Sequence, residues 1–347
     1  MSGQVGLQAS PQVSLQVSLG VTPFDRFYYK SCLHMPLMAA VQHFGGDLSR
    51  FWTNDVFVYG QDEGASALAL TAFHFENRPE AEILKQMGID TDPISPEDDL
   101  IGALQAAIGQ GALVLVPVDR FSYHSRYNTL YRREHYPHHV LVCGFNVLAG
   151  TFEVIDAPET PIEGKNAFLA EVGFESVWHA HRDYLEFCDR SGRAVRLSRR
   201  TETAHVDFGS AAASLRETLL ANREQILSGL SCLNVQAAAL RSMDFALLKA
   251  EPLEIVLRRL FPIDRAKEAE YFRIAVAFPG CIDPLGELMR KIQMSLKEYK
   301  LSLGSFLLRG SLSASNRETL AIALERIHGL ERGFNHGLFE ALEQKTG

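Results

Sequence analysis

Apolar residues at Leu33, Leu37, Met38, Val41 and Phe44 recur at intervals of three and four, the spacing of an amphipathic helix. Gly45-Gly46 supplies its stop, so the pattern predicts a helix over Cys32–Phe44 with Ser31 as its cap. Pro36 would kink that helix past its first turn, which moves the expected regular start toward His34. Arg78–Gly88 and Ser95–Gly111 read as two further helices. The second has Ser95 as cap, Pro96 at the first helical position and acids in its first turn. The period then changes. Ala112–Asp119, "ALVLVPVD", is a continuous β-branched apolar run ending in an acid, the mark of a buried strand. His138–Phe145 and Thr151–Pro158 are strand-like runs joined by "NVLAG", a hairpin signal. Near the start, "QVSLQVSL" alternates in the strand period and reads as an edge strand or a mobile tail.

From about Ser210 the chain is helix after helix, with breaks expected at Pro252, Pro262, Pro279-Gly280 and "GSLSASN". The expected organisation is an extension over 1–24, an α+β domain over 25–205 and an all-helical domain over 206–347.

Composition narrows the function classes. The 347 residues are 46% hydrophobic and 22% charged, with a formal net charge of −8, so no basic excess points to nucleic acid or an anionic membrane. No run of 18 apolar residues occurs, and the first residues lack a basic n-region followed by an apolar core; a cytoplasmic location is expected. Five widely spaced cysteines without a CxxC pair argue against a disulfide framework or a zinc finger.

Cys32 has a setting the other cysteines lack. A helix start presents backbone N–H groups that favour thiolate and can stabilise an oxyanion. Cys143 lies mid-strand, and Cys188, Cys232 and Cys281 have no partner pattern; these four read as structural. A base for Cys32 would be a histidine on a rigid element, oriented by an acid. The hairpin offers His138 and His139 at the opening of one strand and Asp156 at the end of the next. A metal site built from His124, His135, His138 and His139 is the competing reading, but its spacing matches no ligand signature, so neither metal nor cofactor is expected.

Three stretches carry a resemblance: "SCLHMPLMAAVQHFGG", "LVLVPVDRFSYHSRYNTLYRREHYPHHVLVCGFN" and "FEVIDAP". In that order they resemble the papain-like cysteine-enzyme superfamily, and within it the butirosin biosynthesis protein H-like N-terminal domain, over roughly residues 27–160. The resemblance implies a papain-like catalytic domain followed by a helical one, with Cys32 as nucleophile and Asp156 as orienting acid. The family's base commonly precedes the strand's glycine by six residues, which selects His138 by counting back from Gly144, with His139 in reserve should a bulge shift the parity. One departure stands out. Papain-like peptidases usually carry a glutamine about six residues before the cysteine as an oxyanion donor, and here that position is Arg26.

The resemblance therefore favours acyl transfer over peptide cleavage: an acyl or aminoacyl group passing from a carrier-protein thioester through Cys32 to an amine, in secondary-metabolite biosynthesis. Arg26, Tyr29, Tyr123 and Tyr127 are the candidate substrate contacts. Val56–Ser66 and Asp119–His139 are candidate walls, and Arg126, Arg132 and Arg133 could meet a carrier protein's phosphate or acidic helix. Expected partners are a small-molecule acceptor and an acyl carrier protein or other thioester donor; homodimerisation stays open. A cysteine hydrolase (thioesterase, amidase or peptidase) with the same triad, and a non-catalytic binding module, are the alternatives.

Overall fold

The computed structural model describes residues 15–61, 70–95, 99–126, 128–158, 164–200, 210–242, 253–309 and 312–344. It is an α+β protein with an antiparallel sheet and a helical C-terminal region. Contacts divide the chain into two compact units, Met1–Pro23 with Ile89–Thr201, and Phe24–Gly88 with Glu202–Gly347.

The first unit is built on a seven-stranded sheet. Its strands are β1 (Gln16–Ser18), β4 (Ile89–Pro93), β5 (Leu113–Asp119), β6 (Pro137–Asn146), β7 (Thr151–Asp156), β8 (Phe168–Gly173) and β9 (Val195–Arg199). The order is β4-β9-β5-β6-β7-β8, with β1 pairing β6, and every pairing is antiparallel. All of β5 is buried, as its unbroken apolar run predicts. Alternate residues Val114, Val116, Val118, Val140, Val142, Phe152 and Val154 share one core with Leu104 and Ile108 of α4 (Leu100–Gly109) and Val177 and Ala180 of α5 (Phe174–Asp183). The β6–β7 hairpin turns where expected, through Gly150 at φ 65°. Its register shifts between Val142 and Gly144, a bulge at Cys143. An added Cβ at Gly144 would lie 2.8 Å from the carbonyl of Val17, so glycine here admits the backbone of β1.

One expectation in this unit fails. The helix begins at Leu100 with Asp99 in the capping position, so Ser95 is not its cap; Pro96 lies outside the described residues.

In the second unit, β2 (Asp55–Gln61) and β3 (Leu70–Glu76) form an antiparallel pair. Its helices are α1 (His34–His43), α2 (Ser49–Trp52), α3 (Glu80–Gln86), α6 (Ala211–Ala221), α7 (Arg223–Gly229), α8 (Ser231–Ser242), α9 (Leu253–Ala277), α10 (Ile282–Leu308) and α11 (Ala314–Gln344). Val56, Phe57, Val58, Tyr59 and Leu70 are buried in one core with Leu233, Ile263, Met289, Ile292, Leu324 and Phe334 from the helices. Contrary to the sequence expectation, α9 continues through Pro262. The lost hydrogen bond and ring clash cost ~3 kcal/mol, and the packing of α9 on α10, β2 and β3 outweighs that. The chain does break at Pro279, where a 3₁₀ turn over Pro279–Cys281 separates α9 from α10.

Candidate functional site

Strand register places His138. It opposes Val118 of β5, while Val140, two residues on, opposes Asp156 of β7. Period-two alternation puts the His138 and Asp156 side chains on the face of Val140 and Val154, as diagonal neighbours. Nε2 of His138 lies 2.7 Å from Oδ1 of Asp156, and the two side chains are 0% and 2% exposed. With Asp156 ionised, Nε2 is the protonated donor, which leaves Nδ1 as the basic nitrogen of the neutral ring. Oδ2 of Asp156 accepts from the Ser125 hydroxyl at 3.1 Å. Burial pushes the Asp156 carboxyl up, yet it is held below its ordinary range by the His138 charge and hydrogen bond, the Arg120 charge and the Ser125 hydroxyl. His139 faces the other way: half-buried and opposite Pro117, its ring centroid lies 6.0 Å from that of Tyr184.

The loop between β5 and β6 supplies the rest of this wall. Asp119 Oδ1 accepts from the amides of Phe121 at 3.0 Å and Tyr136 at 2.9 Å, and Oδ2 meets His135 Nδ1, so one carboxylate fastens both ends of the loop. Asn128 Nδ2 donates to the carbonyls of Arg120 at 2.6 Å and Tyr123 at 2.5 Å, folding the loop back on itself. Tyr123 is fully buried, its ring centroid 6.2 Å from that of His138. Burial and the Asp156 charge push its phenol well above the ordinary range, so it acts as a neutral wall. Tyr127 lies outside the described residues. Arg126, Arg132 and Arg133 are exposed.

Cys32, in the other unit, lies half-buried in the turn 31–33 that leads into α1. Ser31 organises that turn. Its carbonyl accepts from the amides of His34 at 3.1 Å and Met35 at 3.3 Å, and its hydroxyl accepts from the amide of Leu33 at 3.2 Å. Pro36 is the third residue of α1, where no intrahelical donor is needed, so it removes no bond and the helix runs on to His43. The amides of Leu33, His34 and Met35 are thus committed to Ser31, and the helix start is less open as an oxyanion cradle than its sequence suggests.

Polar anchors hold the chain on both sides of Cys32. Lys30, at φ 52°, donates to Glu76 at 2.8 Å and Glu80 at 3.1 Å, and His34 Nε2 lies 2.7 Å from Glu80. Tyr29 is buried, its hydroxyl 3.0 Å from the Phe51 carbonyl and bonded to Asp55. Asp55 also meets His74 Nδ1 at 2.6 Å and Arg273 at 3.2 Å, and these charges hold it far below the ordinary carboxylate range against the opposing effect of burial. Tyr29 is therefore placed as a strut inside its unit, while Arg26 is exposed. Val56 to Gln61 of the expected wall form the buried strand β2, and residues 62–66 lie outside the described residues.

Cys143, Cys188 and Cys232 suit structural roles. Burial and Glu153 push the Cys143 thiol up to about 12; burial, Asp119 and Asp189 push Cys188 up to about 11; burial raises Cys232. Among the described residues, the one cluster of His, Cys, Asp or Glu tight enough to share an ion is His34, Glu76 and Glu80, and Lys30 already bonds both glutamates. Sequence reasoning missed Ser125, Arg120 and the second role of Asp119; only the acid closing the β5 run carried any signal. No protein-family model matches the chain, and no curated protein sequence matches it.

Proposed function

We propose that the protein is a cysteine-dependent acyltransferase of papain-like type, with Cys32 as nucleophile, His138 as base and Asp156 as orienting acid. The observation that carries this reading is the buried His138–Asp156 pair, whose carboxylate engages Nε2 at 2.7 Å and makes Nδ1 the proton acceptor. In the reaction the Cys32 thiol gives its proton to His138 and its sulfur attacks the carbonyl of a thioester. The tetrahedral adduct expels the donor thiolate, which takes the proton back from His138. One thioester replaces another, an exchange near energetic balance. An amine then attacks the acyl-enzyme, His138 accepts the amine's proton, and Cys32 leaves as the reprotonated thiol, completing the amide. The exposed Arg126, Arg132 and Arg133 would meet the phosphate or acidic helix of a carrier protein in this scheme, and Arg26 stands where a peptidase would carry its glutamine. The group moved is acyl or aminoacyl, and the acceptor is an amine or similar small molecule in secondary-metabolite biosynthesis.

The test is incubation of the full chain with a simple acyl thioester, followed by intact-mass measurement and peptide mapping. An acyl adduct on Cys32 that persists in water and is discharged by an added amine is the expected outcome. Prompt hydrolysis without amine identifies a thioesterase instead. Full turnover by Cys32→Ala would refute a cysteine mechanism of either kind, and normal acylation by His138→Gln would remove His138 from the role of base.

A further inference from the structure

Three side chains around the turn before α1 form a relay of hydrogen bonds that the Cys32 reaction does not use. Ser31 Oγ lies 2.8 Å from Nδ1 of His34, and Nε2 of His34 lies 2.7 Å from Oε1 of Glu80. All three belong to the unit that contains Phe24–Gly88. The direction of each bond follows from the charge of Glu80. Burial raises its pKa, but the His34 hydrogen bond and charge, with Lys30, hold it down to about 2, so at neutral pH it is ionised and only accepts. Nε2 of His34 therefore carries the proton, and the neutral ring presents its lone pair at Nδ1, to which the Ser31 hydroxyl donates. A hydroxyl donating to an imidazole whose far nitrogen is held by a carboxylate is the arrangement that activates an oxygen nucleophile.

The surroundings hold that relay in place. The Leu33 amide donates to Ser31 Oγ at 3.2 Å, a bond that strengthens as the oxygen gains negative charge. Serving that amide needs only the hydroxyl's lone pair; its proton goes to a base. Lys30 donates to Glu76 at 2.8 Å and to Glu80 at 3.1 Å, which fixes the carboxylate. Tyr29 meets the His34 ring edge-on, with centroids 5.7 Å apart, and restricts its rotation. The Ser31 amide donates to the Tyr29 carbonyl at 2.7 Å across Lys30, whose φ of 52° is left-handed, and backbone strain of this kind collects at functional sites. Residues 31–34 are all partly exposed, the His34 side chain by 13%, which leaves Ser31 open to a small substrate. The amides of His34 and Met35 are bound to the Ser31 carbonyl, so few donors remain for an oxyanion, and that suits a reactive ester better than an amide.

We propose that Ser31 is a nucleophile independent of Cys32, with His34 as its base and Glu80 as the positioning acid, and that this site hydrolyses small carboxylic esters. His34 Nδ1 takes the hydroxyl proton as Ser31 Oγ adds to the ester carbonyl. The tetrahedral adduct breaks its bond to the alkoxy oxygen, and the alcohol leaves with the proton from Nδ1. Water then gives a proton to Nδ1 as its oxygen attacks the acyl-serine, the carboxylic acid departs, and Ser31 recovers its proton. The site uses none of Cys32, His138 or Asp156, and it stands whether or not they act together.

The test treats the full chain carrying Cys32→Ala, which removes the neighbouring thiol, with an alkyl fluorophosphonate that phosphonylates an activated serine and expels fluoride. Peptide mapping locates the adduct, and p-nitrophenyl acetate reads turnover in the same protein. An adduct on Ser31 is expected, with p-nitrophenol release above the solution background that labelling abolishes. The wild-type chain should label at the same residue, which separates any effect of Cys32→Ala on the turn from the chemistry of Ser31. His34→Gln can keep both hydrogen bonds but takes up no proton, and it should slow labelling and turnover ~100-fold. Glu80→Gln keeps an acceptor for Nε2 without the charge and should slow them ~10-fold. No adduct on Ser31 in either chain, labelling of His34→Gln at the parent rate, no ester turnover above background, or turnover that survives complete labelling of Ser31 would each overturn the proposal.

Discussion

At Glu80 a single carboxylate oxygen holds the chain on both sides of Cys32, meeting Lys30 at 3.1 Å and His34 at 2.7 Å. Burial alone would raise its pKa, but the His34 hydrogen bond and charge, with Lys30, hold it down to about 2 from an ordinary 4.5. The sign follows from that depression. The stabilisation is fully present above 4.5 and is lost as pH falls toward 2. Glu80→Ala should cost ~1–3 kcal/mol in denaturant unfolding at neutral pH, the range for removing a hydrogen-bond partner of a charged, part-buried group. The gap between variant and wild type should close across that acid window. A gap that stays constant would show that the charge of Glu80 is not what fastens the turn. None of this was legible in the sequence, because Lys30 and Glu80 are 50 residues apart and no local pattern couples them. The His138–Asp156 pair was legible, because a hairpin between two apolar runs fixes which strand ends meet. Ser125 was not, since it reaches Asp156 from a loop whose path is set by Asp119 and Asn128 rather than by any periodicity.

Elements with strong periods were readable to within a few residues, and the reasons for the misses are physical. Strands β5, β6 and β7 are long, apolar and joined in the hairpin case by a short link, so each announces itself. Strands β4 and β9, "IDTDP" and "VRLSR", are half polar and pair with each other across more than a hundred residues, so nothing local marks them. The two prolines show how position decides. Pro36 sits in the first turn of α1, and Pro36→Ala should cost only about 1 kcal/mol, chiefly through the freer unfolded chain. Ala40→Pro, seven residues into the same helix, should cost ~3 kcal/mol or more, because it removes an interior hydrogen bond and crowds the preceding turn. Urea denaturation midpoints of the two variants would rank them, and comparable losses would contradict the placement of Pro36 before the first required donor. Pro262 lies in the interior of α9, and there only tertiary packing tolerates it.

For the whole chain, the change to continuous helix near Ser210 was visible, but which earlier segment those helices would cover was not. Burial of β2 answers that question. Val56, Phe57, Val58 and Tyr59 share their core with α8 to α11, and Asp55 keeps its charge through Arg273, 218 residues away. Phe24–Gly88 therefore depends on the C-terminal helices for its core, whereas the sheet of β4 to β9 draws its core from its own strands, α4 and α5. The two tryptophans divide between these groups, Trp52 in α2 and Trp178 in α5. A chain ending at residue 205 should lose the fixed environment of Trp52, now 6% exposed, while Trp178 keeps its own. Fluorescence of single-tryptophan versions, Trp178→Phe to read Trp52 and Trp52→Phe to read Trp178, separates the two. Hydrogen exchange should show residues 24–88 unprotected and β5, β6 and β7 still slow. Removing β2's partners also leaves Asp55 without the guanidinium that offsets its burial, a loss of ~3–5 kcal/mol for a broken buried pair. If the shortened chain kept Trp52 buried and unfolded in one transition, the apolar face of β2 would have found cover elsewhere, and the dependence of the Cys32 segment on the helical region would be refuted.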